Sequence, residues 1–465
     1  MTTIEPQVLE LGVEPDPTTF PPTLRLGAAT ASYQIEGAVH DGGRGESIWD
    51  RFCRVPGAIV NGDTGDVACD HYHRFEADLD LMAELGLECY RFSIAWPRIQ
   101  PDGRGPANPE GLAFYQRLTE GLLDRGIEPI ATLYHWDLPQ ALQDAGGWGQ
   151  RETAQRFAEY AAIVADGLGA TVSQFITHNE PWVVAFLGHA LGIKAPGTRH
   201  WPTALRASHH LLLSHGLALQ AMRATLGRDA EIGIAVNLFP VHPAGPSDAD
   251  REAARRMDGH LNRWFLDPLL RGSYPADMVG VYEALFGPPD AVLDGDLQVI
   301  RAPIDFLGVN YYNPERITAA PTDLPLQARR VPAPPPTTAM GWEVDPDGLR
   351  QVLLRLRRDY DAPPVYITEN GASFDDPPAS DGQVDDPQRT AYLQSHLSAL
   401  ARAVEDGADV RRYCVWSLLD NFEWELGYDK RFGIVHVDFD TQARVPKRSA
   451  LWYRDFIARV RAGDR

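Results

Sequence analysis

Eight short apolar runs recur along the chain, separated by stretches in which apolar residues repeat every three or four positions. The runs are 24–32 (LRLGAATAS), 88–96 (ECYRFSIAW), 128–136 (EPIATLYHW), 174–180 (QFITHNE), 231–239 (EIGIAVNLF), 305–312 (DFLGVNYY), 364–370 (PVYITEN) and 410–418 (VRRYCVWSL). Most are nearly continuous rather than alternating, as in strands buried on both faces. Between them, Phe75, Leu79, Met82 and Leu85 form one helical stripe. Leu112, Tyr115, Leu118 and Leu122 form a second, and Phe157, Tyr160, Ala161, Val164 and Leu168 a third. Segments 203–226, 250–270, 347–359, 387–405 and 447–462 also read as helices. Gly86, Gly126 and Gly169 fall between a helix and the next strand, where a glycine C-terminal cap is expected.

Strands alternating with helices argue for parallel β/α units, and eight such units most often close into a barrel. The expected fold is therefore α/β, a single (β/α)8 TIM barrel with long βα-loop insertions. Residues 1–20 read as an N-terminal extension and 21–465 as one catalytic domain. The irregular stretch 313–346, with VPAPPP, reads as an insertion over the top of the barrel, because a seventh strand still follows it.

In such a barrel the active site forms at the C-terminal ends of the strands. Polar and aromatic residues collect there. Gln34 follows strand one, and strand three ends in His135 and Trp136. Strand four ends in Asn179 and Glu180, followed by Trp182. Strand six ends in Asn310, Tyr311 and Tyr312, and strand seven in Glu369 and Asn370. Strand eight runs through Trp416 towards Asn421, Glu423 and Trp424. Dense donors and acceptors beside flat apolar faces suit a sugar ring, whose hydroxyls bond while its C–H faces stack. Any single tryptophan is equally well read as core filling; their clustering at strand ends favours a pocket.

The totals narrow the partners. The 465 residues carry 43 basic and 64 acidic side chains, a net charge of −21. That sign repels nucleic acid and anionic membrane and favours a neutral small-molecule ligand, although any soluble charge-stabilised enzyme would share it. No stretch approaches the roughly 20 apolar residues of a membrane-spanning helix. Cys53, Cys69, Cys89 and Cys414 are scattered, without the spacing of a disulfide framework or a zinc knot. The N-terminus lacks a basic, apolar leader, so a cytoplasmic location is expected. No cofactor or metal is implied, and oligomeric state is not legible.

Glu180 and Glu369 each close an apolar strand, where a charge is costly unless it is paired or functional. Two carboxylates flanking one bond are the equipment of glycoside hydrolysis, one protonated to assist departure and one ionised to attack. Arg91, in the middle of strand two, needs an anionic partner if it points into the barrel. Glu369 is the proposed partner; a structural ion pair with another acid is the alternative.

With these residues in view, the chain resembles family 1 of the glycoside hydrolases. The resemblance runs from about 20 to 460 and is carried by LGAATASYQIEGA, YRFSIAWPRI, TLYHWDLP, THNEP, GVNYY, YITENG and VWSLLDNFEW. It implies the barrel fold, with Glu180 as acid/base and Glu369 as nucleophile. It further implies that Gln34, His135, Asn179, Glu423 and Trp424 bind the non-reducing sugar, with Trp416 as the platform beneath it. Tyr312 matches a tyrosine bonded to the nucleophile, Asn310 lines the same region, and Trp342 matches a leaving-group tryptophan. Relatives acting on thioglucosides replace the acid/base by glutamine, whereas Glu180 is intact here. Relatives acting on 6-phosphosugars carry serine at the position of Glu423. Lys430 falls near their phosphate-binding lysine, but Phe432 stands where they carry tyrosine. The implied substrate is an unphosphorylated β-glucoside, with galactosides and fucosides as side activities.

Three alternatives remain at this level: a sugar-binding protein that has lost catalysis, a transglycosylase using the same two glutamates, and a metal-dependent barrel enzyme. The last would draw on Cys69, His71 and His73, which share a face if that stretch is a short strand, or on His209 and His210. None of these has familiar zinc-ligand spacing.

Overall fold

The computed structural model describes residues 12–288, 290–378 and 382–463. Eight parallel strands close into a barrel: β1 Arg25–Ala29, β2 Cys89–Ser93, β3 Glu128–Tyr134, β4 Gln174–Asn179, β5 Glu231–Asn237, β6 Phe306–Tyr311, β7 Val365–Asn370 and β8 Val410–Trp416. Each pairs with its sequence neighbours, and β1 closes on β8 from Arg25↔Arg412 to Ala29↔Trp416. The strands are shorter than the apolar runs that announce them. In the first and second runs the chain turns at once into the helical turns Ser32–Ile35 and Trp96–Ile99, so their last apolar residues belong to the loops.

The helices shield the barrel. His71–Glu84, Pro109–Asp124 and Arg151–Leu168 carry the three anticipated stripes, and Trp201–Leu226, Pro346–Tyr360, Pro387–Glu405 and Arg448–Ala462 follow where expected. Segment 250–270 is not one helix. It divides into Asp248–Asp258, a π-helical Gly259–Arg263 and Trp264–Arg271, the last with Pro268 inside it. Proline removes a backbone donor and crowds the preceding turn, which helices accommodate by local changes of pitch. Two further helices, Ala276–Phe286 and Asp296–Ile300, lie where no stripe was legible.

Two other expectations change. The 313–346 stretch is not wholly irregular: Glu315–Ala319 pairs with Ala328–Arg330 and with Val241–Pro243 in a small three-stranded sheet. Gly86 and Gly126 adopt positive φ (66° and 72°), but Gly169 is right-handed at −61°. Its glycine character serves packing instead, because a Cβ there would lie 2.3 Å from Leu226 Cδ2. Of the N-terminal extension, residues 1–11 lie outside the described residues. Its remainder docks on the barrel: Gln394 and Trp452 donate to the Glu14 carboxylate, and Ser398 donates to the Val13 carbonyl.

Candidate active site

At the C-terminal ends of the strands lies a cavity of about 900 Å³, including its open mouth. Glu180, Glu369, His135, Trp416, Glu423 and Trp424 reach its surface, as do Tyr312, Trp342 and Trp182. Backbone irregularities aim several of them. The β4–β5 register shifts between Ile176 and Asn179, and the β7–β6 register shifts between Ile367 and Glu369. Bulges of this kind redirect side chains at barrel rims. Trp136, Glu180 and Trp424 take positive φ (78°, 49° and 52°), a conformation unfavourable for side-chain-bearing residues that is retained where surroundings impose it.

The two glutamates have unlike surroundings. Arg91 points into the barrel, fully buried, and donates from Nη1 to Glu369 Oε1 at 2.6 Å. Its Nη2 donates to Asn179 Oδ1 at 2.7 Å and its Nε to Thr132 Oγ1 at 3.1 Å, which sets the guanidinium plane. The Tyr312 hydroxyl donates to Glu369 Oε2 at 2.5 Å. Burial pushes the Glu369 carboxyl up, while the Arg91 charge and the Tyr312 hydroxyl pull it back towards ionisation.

Among the described residues Glu180 makes no ion pair. Asn310 Nδ2 donates to its Oε1 at 2.7 Å and also to Asn179 Oδ1 at 3.0 Å, while Thr368 donates to Asn310 Oδ1 at 2.6 Å and fixes the amide's orientation. Burial, reinforced by the neighbouring negative charge of Glu369, pushes the Glu180 carboxyl up to about 8. Of the two groups Glu369 therefore releases its proton first, because the cation sits against it and the anion's field falls on Glu180.

The sugar-binding candidates divide into two groups. His135, Trp416, Glu423 and Trp424 line the cavity, as does Trp136. His135 lies parallel to Trp416 and Trp424, with ring centroids 5.7 and 6.0 Å away. Gln34, Asn179 and Asn310 are buried and bond to cavity residues. Gln34 Nε2 donates to Glu423 Oε2 at 3.3 Å and to Asn421 Oδ1 at 3.0 Å. Asn179 Nδ2 donates to His135 Nε2 at 3.0 Å, which requires the Nδ1–H tautomer of a ring held neutral by burial and by the positive charge of Arg91. Gln34 Oε1 and His135 Nδ1 have no partner among the described residues. Trp342 is half-buried and lines the cavity, 5.4 Å from the Tyr312 ring and 6.0 Å from Phe432.

Sequence reasoning passed over Lys194, Leu187, Phe239, Met340 and Glu425, all on the cavity wall. Leu187 lies in the π-helical segment Val183–Leu191, and the others lie beyond the strand ends, where no periodicity marks them as cavity residues. Lys430 does not line the cavity and pairs with Asp429 at 3.0 Å, whereas Phe432 does line it.

The histidine and cysteine clusters are structural. Residues 71–84 form a helix, not a strand, so the supposed shared face of 69, 71 and 73 does not exist. His71 bonds Asp78, His73 bonds Asp70, and the Cys69 thiol donates to the Asp420 carbonyl. His209 bonds Asp296 and Tyr274, and His210 meets the Trp148 carbonyl. Among the described residues no group of three or more His, Cys, Asp or Glu side chains is arranged to hold a metal. All four cysteines are free and buried.

Comparison with known proteins agrees with this geometry. The profile described as "Glycosyl hydrolase family 1" matches residues 16–461. The chain is 49% identical to Beta-glucosidase A of Acetivibrio thermocellus, over 94% of this chain and 98% of that one. It is 46% identical to the Bifunctional beta-D-glucosidase/beta-D-fucosidase of Bifidobacterium breve, over 94% and 98%. Among solved structures, the family 1 β-glucosidase of Thermotoga maritima superposes with a TM-score of 0.92 at 45% identity, covering 95% of this chain and 98% of that one. With a site of two buried, unequal carboxylates and a match over nearly its whole length, the chain belongs to glycosyl hydrolase family 1.

Proposed function

We propose that this protein is a retaining β-glucosidase that releases the non-reducing terminal glucosyl residue of β-glucosides or cello-oligosaccharides. Glu369 attacks the anomeric carbon as the Glu180 carboxylic acid gives its proton to the departing glycosidic oxygen. A covalent glycosyl-enzyme results. Glu180, now a carboxylate, then takes a proton from water as the water oxygen attacks the same carbon and Glu369 leaves, so the β configuration is kept. A sugar hydroxyl in place of water gives transglycosylation. Fucosides and galactosides are side substrates, the former in keeping with the bifunctional relative. The protein works in the cytoplasm, a reading supported by its four free thiols.

The observation that carries this reading is the asymmetry of the two carboxyls. Glu369 is gripped by Arg91 and Tyr312, as an ionised nucleophile requires, whereas Glu180 has an amide for its neighbour and holds its proton up to about 8, as a general acid requires. The unpartnered Gln34 Oε1 and His135 Nδ1 add support, since buried polar groups without partners are costly and sugar hydroxyls complement both. An inactive sugar-binding protein would have no need of the asymmetry.

Two variants test the roles. Glu369→Ala abolishes turnover of every glucoside, and azide restores it with inversion to an α-glucosyl azide. Glu180→Ala leaves glycosylation by dinitrophenyl β-glucoside nearly intact, because that leaving group needs no proton. Deglycosylation then fails, which appears as a burst with a low KM, and azide rescues it with retention. The same azide stereochemistry from both variants would overturn the assignment.

A further inference from the structure

Lys194 is a cationic cavity residue that the mechanism leaves unused. It follows the π-helical segment Val183–Leu191 and the left-handed Gly192, in a loop that lines the pocket beside Trp136. Its side chain is only 12% exposed. The ammonium donates to Glu425 Oε2 at 2.5 Å and lies 5.2 Å from the centre of the Trp136 ring. Trp136 in turn packs on Trp424 with centroids 4.5 Å apart. Lys194 thus joins two loops, and its tether on the second stands two residues beyond Glu423.

Glu423 is half-buried in the cavity wall and has no ion pair of its own among the described residues. Among the described residues, one hydrogen-bond donor and three charged groups on the same cavity wall act on it. Gln34, from the helical turn after β1, donates to it; Lys194 approaches from the loop after the π-helical segment; Glu425 lies on its own loop; and Glu369 approaches from β7. Burial pushes the carboxyl up to about 8, and among the neighbours the Lys194 charge is the leading influence in the opposite direction.

We propose that Lys194 is a positioning residue for the sugar end of the pocket: its ammonium, held between Glu425 and the Trp136 face, supplies the counter-charge for the Glu423 carboxylate and ties down the loop that carries it. This rests on the reading that Glu423 accepts hydrogen bonds from sugar hydroxyls. A carboxylate accepts stronger bonds than a carboxylic acid and has no hydroxyl of its own to reorient. A distant cation suits this task better than a direct partner, which would occupy the oxygens the sugar needs.

The test is the pH dependence of glucose binding by calorimetry, with a neutral ligand and no turnover. The dissociation constant falls as pH rises through the ionisation of Glu423. Lys194→Met moves that inflection to higher pH and weakens binding near pH 7 by roughly three- to tenfold, the effect of a shift of about half to one pKa unit. Lys194→Arg restores the wild-type profile. Glu425→Gln removes a negative neighbour while leaving the ammonium, so it moves the inflection to lower pH. A purely structural tether predicts equal weakening in both variants and no displacement of the inflection; that result, or displacements in the same direction, overturns the proposal. Glu423→Gln is the control. Loss of the inflection in this variant, with Lys194→Met unmoved, rejects the role of Lys194 alone. Retention of the inflection and of full affinity in Glu423→Gln rejects the reading of Glu423 on which it rests.

Discussion

Arg91 illustrates how much one side chain decides. Its guanidinium is shared between a carboxylate, two side-chain oxygens and the Thr368 carbonyl, all buried. Removing it leaves Glu369 buried without its cation, a change that costs about 3–5 kcal/mol when one partner of a buried pair is lost. Arg91→Met is therefore expected to lower the melting temperature. It also raises the Glu369 carboxyl further, since the Arg91 charge holds that group down. The acidic limb of the kcat/KM profile, which reports the free nucleophile, moves to higher pH, and activity is lost first on the acid side. Profiles of both proteins on one aryl glucoside check this; an unmoved acidic limb would separate Arg91 from the nucleophile.

At the level of elements, the site depends on how closely β7 and β8 approach beyond their last paired residues. Gly371 follows the strand that carries Glu369, and a Cβ placed on it would lie 1.7 Å from the Trp416 carbonyl oxygen. That obstacle is backbone and has no flexible end to swing away. Gly371→Ala is expected to push the two strand ends apart, displacing Glu369 relative to Trp416. Misplacement on the ångström scale costs on the order of a hundredfold in rate. The measurement is kcat together with the melting temperature: a loss in kcat well beyond the loss in stability is expected, and wild-type values for both would contradict the packing argument.

For the whole molecule, an active site of buried carboxyls is a liability whose size depends on pH. Glu180 and Glu423 are both pushed up from 4.5 to about 8, chiefly by burial. Each keeps its proton to a higher pH in the folded state than in the unfolded chain. Their contribution to stability is thus fully present below about pH 4.5 and is lost as pH rises towards 8. Glu180→Gln removes one such group. It is expected to stabilise the protein by more at pH 8 than at pH 5, by a few kcal/mol at most. Thermal unfolding of both proteins across this range decides the matter; a constant difference would mean that Glu180 titrates alike in both states.

What the chain alone determined was the order of elements and the chemistry at their ends. Strands buried on both faces leave continuous apolar runs, and the residues closing them, from His135 to Glu369 and Trp416, stand out because polar groups interrupt apolar sequence there. That Arg91 needs an anionic partner was legible for the same reason, but that the partner is Glu369 rather than another acid was decided by the fold, which brings the two together across the barrel. Other features required the folded molecule. The division of segment 250–270 and the small sheet within 313–346 follow from pairing with distant segments. The split of the sugar-binding candidates into cavity-lining and supporting residues was likewise decided by burial, which sequence spacing does not report. Lys194 lay hidden in a loop 231 positions from its partner Glu425. Local sequence records which face of an element is apolar; tertiary structure decides which loops meet above it, because charges attract through space and not along the chain.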